Sequence, residues 1–272
     1  MRIGAHESVS GGIYRALERA LEDGCQAAQL FVTVPNRWYQ APLTDKEIEQ
    51  YRALSSSFGE DAVTAHATSL INLASPKEDV RKRSIACLKD ELSRCDALGI
   101  PYYVLHPGSP LDSGCDAGIK RIVDGLNEVY KGDVGAITLL ETTSGGGNTI
   151  GRKLEELSEI IDKAVESKLG VCLDSCHMFS AGYDLLTMYN TIINDALTRF
   201  GDKLKVFHIN DTKHPLASGK DRHELIGKGF LGLDFFSALV NDRRLKDVLG
   251  ILETPAERYI DEIKLLQSLI KG

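Results

Sequence analysis

Nine residues able to bind a metal are spread through the 272-residue chain: His66, His106, Glu141, Asp174, His177, His208, Asp221, His223 and Glu253. Imidazole nitrogen and carboxylate oxygen are ligand atoms that zinc takes, and five of the seven histidines fall in this set. Six of the nine stand at the end of a short apolar run that reads as a β-strand: VTAH, YVLH, ITLLE, VCLD, VFHI and ILE. Three carboxylates and three imidazoles converging on one space would be unfavourable unless they were neutralised or held cations, so metal binding is the chemistry they suggest. Asp221 and His223 are two apart, which in extended backbone turns both side chains to one side and lets them chelate one ion. His177, three residues after Asp174, can turn to the same ion or to a neighbouring one.

These residues need a frame that gathers strand ends. Apolar runs predict strands at 3–5, 28–32, 62–65, 102–105, 137–140, 171–173, 206–209 and 249–252. Amphipathic patterns predict helices at 13–22, 45–56, 80–98, 119–129, 154–166, 189–200, 233–241 and 259–270. Strand and helix alternate eight times in a length close to the about 250 residues typical of a (β/α)8 TIM barrel, an α/β fold. One domain over 1–272 suffices, and its catalytic rim lies where the strands end. Gly99 and Pro101 stop the third helix, and Thr44 with Glu47 forms a capping box before the second.

The 43% apolar and 26% charged content is that of a folded globular chain, and no tract approaches a membrane span. No secretory signal opens the sequence, so a cytoplasmic location is expected. Six scattered cysteines without a C-x-x-C pair argue against a zinc ribbon or redox dithiol, and Cys172 and Cys176 read as structural. A net charge of −7 counsels against a nucleic-acid partner, yet three divalent ions would add about six local positive charges. His6 also reaches the rim, as a tenth ligand or as a hydrogen-bonding support. The glycines of SGGGN lack the phosphate-loop pattern and are read as allowing close backbone approach.

The motifs HATSLINLAS from His66, HPG from His106, LLETTSGGGNTIG from Leu139 and GVCLDSCHMFSAGYD from Gly170 continue with HINDTK from His208, DRHELIGKGFLG from Asp221 and ETP from Glu253. With them the chain resembles endonuclease IV, the zinc-dependent apurinic/apyrimidinic endonucleases of DNA repair, over essentially its full length. The resemblance implies three zinc ions per chain. His66 and His106 would hold one, Glu141 would bridge it to a second on Asp174, His208 and Glu253, and His177, Asp221 and His223 would hold the third. It further implies double-stranded DNA containing abasic sites as substrate. A zinc-activated hydroxide would hydrolyse the phosphodiester 5′ to the lesion, with Glu141 as the bridging catalytic carboxylate and no side-chain nucleophile. The expected protein is a monomer.

DNA-contacting positions depart from the family pattern. Ser69 stands where a tyrosine is usual and offers little stacking surface, and Pro35-Asn36-Arg37-Trp38 replaces Asn-x-Arg-x-Trp. Arg37, Trp38 and Tyr39 are candidates for groove or stacking contacts, and Lys213, Lys220, Arg222 and Lys228 for phosphate contacts. A xylose-isomerase-like sugar isomerase or epimerase is the rival reading, since Glu141, Asp174, His208 and Glu253 would serve it too. The other five ligands distinguish the two, because a one-metal isomerase has no use for them. A catalytically weak DNA-binding homologue is a third reading.

Overall fold

Alternation within the apolar runs decides the architecture. In the computed structural model, which describes residues 1–59, 61–165 and 168–271, eight parallel strands close into a barrel. They are β1 (Arg2–Glu7), β2 (Ala27–Phe31), β3 (Val63–His66), β4 (Tyr102–Leu105), β5 (Ile137–Glu141), β6 (Leu169–Asp174), β7 (Leu204–His208) and β10 (Leu249–Leu252). Around the barrel the order is β1-β10-β7-β6-β5-β4-β3-β2. Between β7 and β10 lies a two-stranded antiparallel ribbon, β8 (Asp211–Thr212) and β9 (His223–Glu224), in which Thr212 pairs with His223.

Side chains alternate between two cores. Ala27, Tyr102, Val104, Leu139, Cys172, Val206, Leu249 and Ile251 fill the barrel as one apolar cluster. Their strand neighbours, among them Leu30, Tyr103, Leu140, Leu173 and Phe207, join a larger cluster with the helices. Gly4 is required inside: a Cβ there would lie 1.7 Å from the Ala27 carbonyl oxygen. Two residues beyond Gly4, Ala27, Thr64, Val104, Leu139, Cys172, Val206 and Ile251 stand His6, Gln29, His66, His106, Glu141, Asp174, His208 and Glu253. The period of two that packs the barrel therefore delivers one polar side chain per strand to its C-terminal mouth.

The surrounding helices are α1 (Tyr14–Glu22), α2 (Asp45–Ser55), α3 (Glu78–Leu98), α4 (Cys115–Val129), α5 (Leu154–Lys163), α6 (Ser175–Ala181), α7 (Tyr189–Phe200), α8 (Gly232–Val240) and α9 (Tyr259–Leu269). All eight expected strands and helices are present in the order predicted. Boundaries moved by a turn at most: α3 and α4 begin earlier than their apolar patterns suggest, and α5 ends at Lys163, while the predicted end at Glu166 lies outside the described residues. Thr44 and Glu47 form the capping box, and Gly99 closes α3 with φ 78°. The short α6 has no counterpart among the expected elements. Asp174 caps it by accepting the His177 N–H at 2.6 Å, so a residue chosen for its ligand chemistry also starts a helix.

Candidate metal centre

Glu141, at the end of β5, is fully buried and reaches in two directions. Its Oε2 lies 3.1 Å from His66 Nε2 and 2.8 Å from His106 Nε2, and its Oε1 lies 2.9 Å from His208 Nδ1 and 3.2 Å from His177 Nδ1. His208 Nδ1 is also 3.3 Å from Glu253 Oε2 and 3.7 Å from Asp174 Oδ2. Across the mouth, Asp221 Oδ2 is 3.2 Å from His177 Nε2, and Asp221 Oδ1 is 3.4 Å from His223 Nε2. All nine candidate ligands thus stand in one continuous network.

Groups with every donor atom within 4.8 Å of the others include His66, His106 and Glu141; Glu141, Asp174, His208 and Glu253; and Asp174, His177 and His223. Glu141 belongs to the first two, as a bridge requires. The third differs from the expected trio, because Asp174 joins the two imidazoles while Asp221 touches them pairwise. Cys172 and Cys176 also lie close, but burial pushes their thiols up to about 12 and about 11, which leaves them protonated near pH 7.

Backbone carbonyls set three of the rings. Nδ1 of His66 faces the Ala67 carbonyl oxygen at 2.9 Å, that of His177 faces Thr142 at 2.9 Å, and that of His223 faces Glu253 at 3.1 Å. A carbonyl only accepts, so each Nδ1 carries a proton and each Nε2 is the nitrogen whose lone pair is offered to a cation. His223 Nε2 is buried with no hydrogen-bond partner. A buried lone pair beside carboxylate oxygens is costly when left alone and suits a divalent cation, so these residues fit a metal group.

The electrostatics agree. Burial alone would raise the Glu141 carboxyl, but the charges of His106 and His208 outweigh it and hold that group well below the usual carboxylate range. Glu253 is likewise held low, against its burial, mainly by His208. Burial would lower His177 and His208, yet the carboxylates of Asp174 and Asp221 around the first, and of Glu253 and Glu141 around the second, raise both well above the usual imidazole range. Positive charge is therefore demanded at this mouth, and without cations protons on the imidazoles supply it.

A family model for the xylose isomerase-like TIM barrel matches residues 17–269. A probable endonuclease 4 from Halothermothrix orenii is 40% identical over 263 residues, covering 94% of each chain. The crystal structure of endonuclease IV from Thermus thermophilus superimposes with a TM-score of 0.87 at 31% identity, over 99% of this chain and 98% of that one. The chain belongs to the endonuclease IV family. A D-tagatose 3-epimerase-like protein, at TM-score 0.75 and 20% identity over 99% of this chain and 97% of that one, shares the fold alone, so the isomerase reading is not favoured. As an endonuclease IV family member, the protein is a DNA-cleaving hydrolase.

The residues expected to meet DNA flank this endonuclease IV centre on two sides. Exposed Ser69 and Asn36 line a cavity of about 210 Å³ that reaches His66 and His106, and Arg37 is exposed beside it. The Asn36 N–H donates to Thr68 Oγ1 at 3.4 Å, tying the two loops together. Trp38 packs against the core, whereas neighbouring Tyr39 is 72% exposed and is the free aromatic surface of this loop. On the opposite side Lys213, just after β8, and Arg222, just before β9, are exposed, the Lys213 N–H donating to the Arg222 carbonyl at 3.1 Å. Gly146 passes so close to the Gly219 carbonyl that a Cβ would lie 2.5 Å from it, in keeping with the close-approach reading of SGGGN.

Several supporting residues escaped the sequence reading. Asn210 Nδ2 donates to Asp174 Oδ2 at 2.7 Å and Glu253 Oε2 at 3.4 Å, while its Oδ1 accepts the Glu253 N–H at 2.9 Å. Glu91, buried on α3, accepts from Thr33 Oγ1, Tyr103 OH and the Thr68 N–H at 2.6, 2.5 and 3.3 Å. Its signal was present: Glu91 falls on the stripe of Leu88, Leu92 and Cys95, where a helical period places buried residues. Gln29 was hidden inside the apolar run AAQLF.

Proposed function

We propose that the protein hydrolyses the phosphodiester 5′ to an abasic site in double-stranded DNA, leaving a 3′-hydroxyl and a 5′-deoxyribose phosphate, with three zinc ions per chain. The observation that carries this reading is the buried Glu141 carboxylate, whose two oxygens reach separate donor groups. His66 and His106 would hold one ion with Glu141, and Asp174, His208 and Glu253 would hold the second with it. His177, Asp221 and His223 would hold the third, within reach of Asp174. Zinc, when bound, lowers the pKa of water towards neutrality and neutralises charge on both oxygens of an in-line displacement.

The protein residues bind, orient and exclude. Fixed ring tautomers keep Nε2 of His66, His177 and His223 directed at the centre. Among the described residues no side chain is poised as a nucleophile there: the nearby thiols are neutral, and Ser175 Oγ donates to the Asn210 carbonyl at 2.7 Å. Lys213 and Arg222 would take backbone phosphates on one side, and Arg37, with Tyr39 and the edge of Trp38, the duplex at Ser69 on the other. One chain supplies the whole ligand set, and no described helix is long and apolar enough to cross a membrane; we place the enzyme as a monomer in the cytoplasm.

The test is a duplex carrying one tetrahydrofuran abasic analogue beside an intact duplex. Incision 5′ to the analogue that stops after prolonged chelation supports the proposal. A zinc-loaded protein that binds this duplex without cutting it would favour the binding-only reading.

A further inference from the structure

We propose that Gln29, between His6, His208 and Glu253 at the barrel mouth, is a positioning residue that selects Nδ1 as the zinc-ligating atom of His208. The inference rests on the zinc set proposed above. Gln29 is fully buried on β2 and is the one uncharged amide in the ring of eight polar residues at the mouth.

Its orientation follows from its partners. The side-chain nitrogen lies 2.7 Å from Glu253 Oε1 and 2.9 Å from His6 Nδ1. An ionised carboxylate only accepts, so the amide nitrogen must face Glu253, and both of its hydrogens are then used, one on Glu253 and one on His6. The amide oxygen consequently faces His208 Nε2, at 3.0 Å. That oxygen only accepts, so His208 carries its hydrogen on Nε2 and keeps the Nδ1 lone pair. This is the nitrogen that meets Glu141, Glu253 and Asp174.

His208 is distinct in this respect. His66, His106, His177 and His223 turn Nε2 towards a ligand carboxylate, and three of these rings are set by backbone carbonyls. A backbone carbonyl stays when side chains change; the control over His208 depends on one replaceable amide. Gln29 also holds Glu253, so a single side chain orients two of the four groups around the second ion.

The test loads wild-type, Gln29→Leu and Gln29→Glu proteins with zinc. Each ion's affinity is read by chelator competition, and the histidine tautomers by long-range 1H–15N correlation. Gln29→Leu should weaken one ion about 10- to 100-fold, leave the others unchanged and erase the single Nε2–H tautomer of His208. Gln29→Glu keeps an acceptor for Nε2–H but loses the donors, so it should weaken the same ion while retaining the His208 tautomer; it also serves if the leucine variant fails to fold. Wild-type affinity for every ion in both variants, or an unchanged His208 tautomer in Gln29→Leu, would overturn the assignment. Uptake of a single ion by the wild type would overturn the three-ion reading instead, and the role of Gln29 would still be read from the affinity of that ion.

Discussion

Oε1 of Glu141 lies 2.9 Å from Nδ1 of His208, two strands away around the barrel. The other oxygen of that carboxylate is turned to His66 and His106, so Glu141 couples groups that the barrel otherwise keeps apart. Glu141→Gln keeps the shape but replaces one bridging oxygen with a donor. It should reduce incision of abasic duplex by more than the roughly 10- to 100-fold that loss of an outer hydrogen-bond partner costs, with loss of bound zinc. Single-turnover kinetics and elemental analysis on one preparation check both; equal cutting by the variant would remove the bridging role.

Glu91 joins three segments that lead to the mouth: Thr33 after β2, Thr68 after β3, and Tyr103 on β4. Glu91→Gln leaves a buried donor facing donors. A loss of about 2 kcal/mol in urea unfolding is expected, the scale of hydrogen bonds to a charged group. Because Thr68 also holds Asn36, KM for abasic DNA should rise while the zinc count stays at its wild-type value.

Lys213 and Arg222 are exposed beside the Asp221–His223 side of the centre. If each contacts one phosphate, alanine at either position should lower the slope of log affinity against log salt by about one. Fluorescence anisotropy over a salt series measures it, and an unchanged slope would remove that residue from the interface. Ser69→Tyr should act in the other direction, adding stacking surface worth about 1 kcal/mol or more in lesion binding.

Glu7, on β1, is 2% exposed, and one of its carboxylate oxygens has no hydrogen-bond partner. Burial, with the charge of Asp23 second, raises its carboxyl from the ordinary 4.5 to about 7. Between these values the unfolded chain releases a proton that the folded protein keeps, so stability falls as pH rises through this window and changes no further from this group above it. Glu7→Gln removes the penalty. The advantage of the variant over wild type should therefore be larger at pH 8 than at pH 5, by a difference on the order of 3 kcal/mol at most. Thermal melts at both pH values check the sign.

Much of this was legible in sequence because the barrel makes one rule serve twice. Val104 and His106, or Leu139 and Glu141, are two apart, so the alternation that identifies a strand also tells which side chain enters the mouth. What escaped was polarity without a ligand's identity. Gln29 sits among apolar residues and carries neither charge nor imidazole, and Glu91 lies in a helix rich in surface charge where only its phase marks it as buried. The capping by Asp174 escaped for a different reason: six residues of α6 are buried, so the helix lacks the polar face that reveals an amphipathic element. The placement of Arg37, Trp38 and Ser69 depends on loop paths that no period fixes.

The most direct measurement titrates metal-free protein with zinc while bound metal and incision of a tetrahydrofuran-containing duplex are recorded together. Three zinc ions per chain, with cutting 5′ to the lesion reaching full rate as the set fills, is the predicted result. A plateau at one ion per chain, or incision undiminished in the metal-free protein, would contradict it.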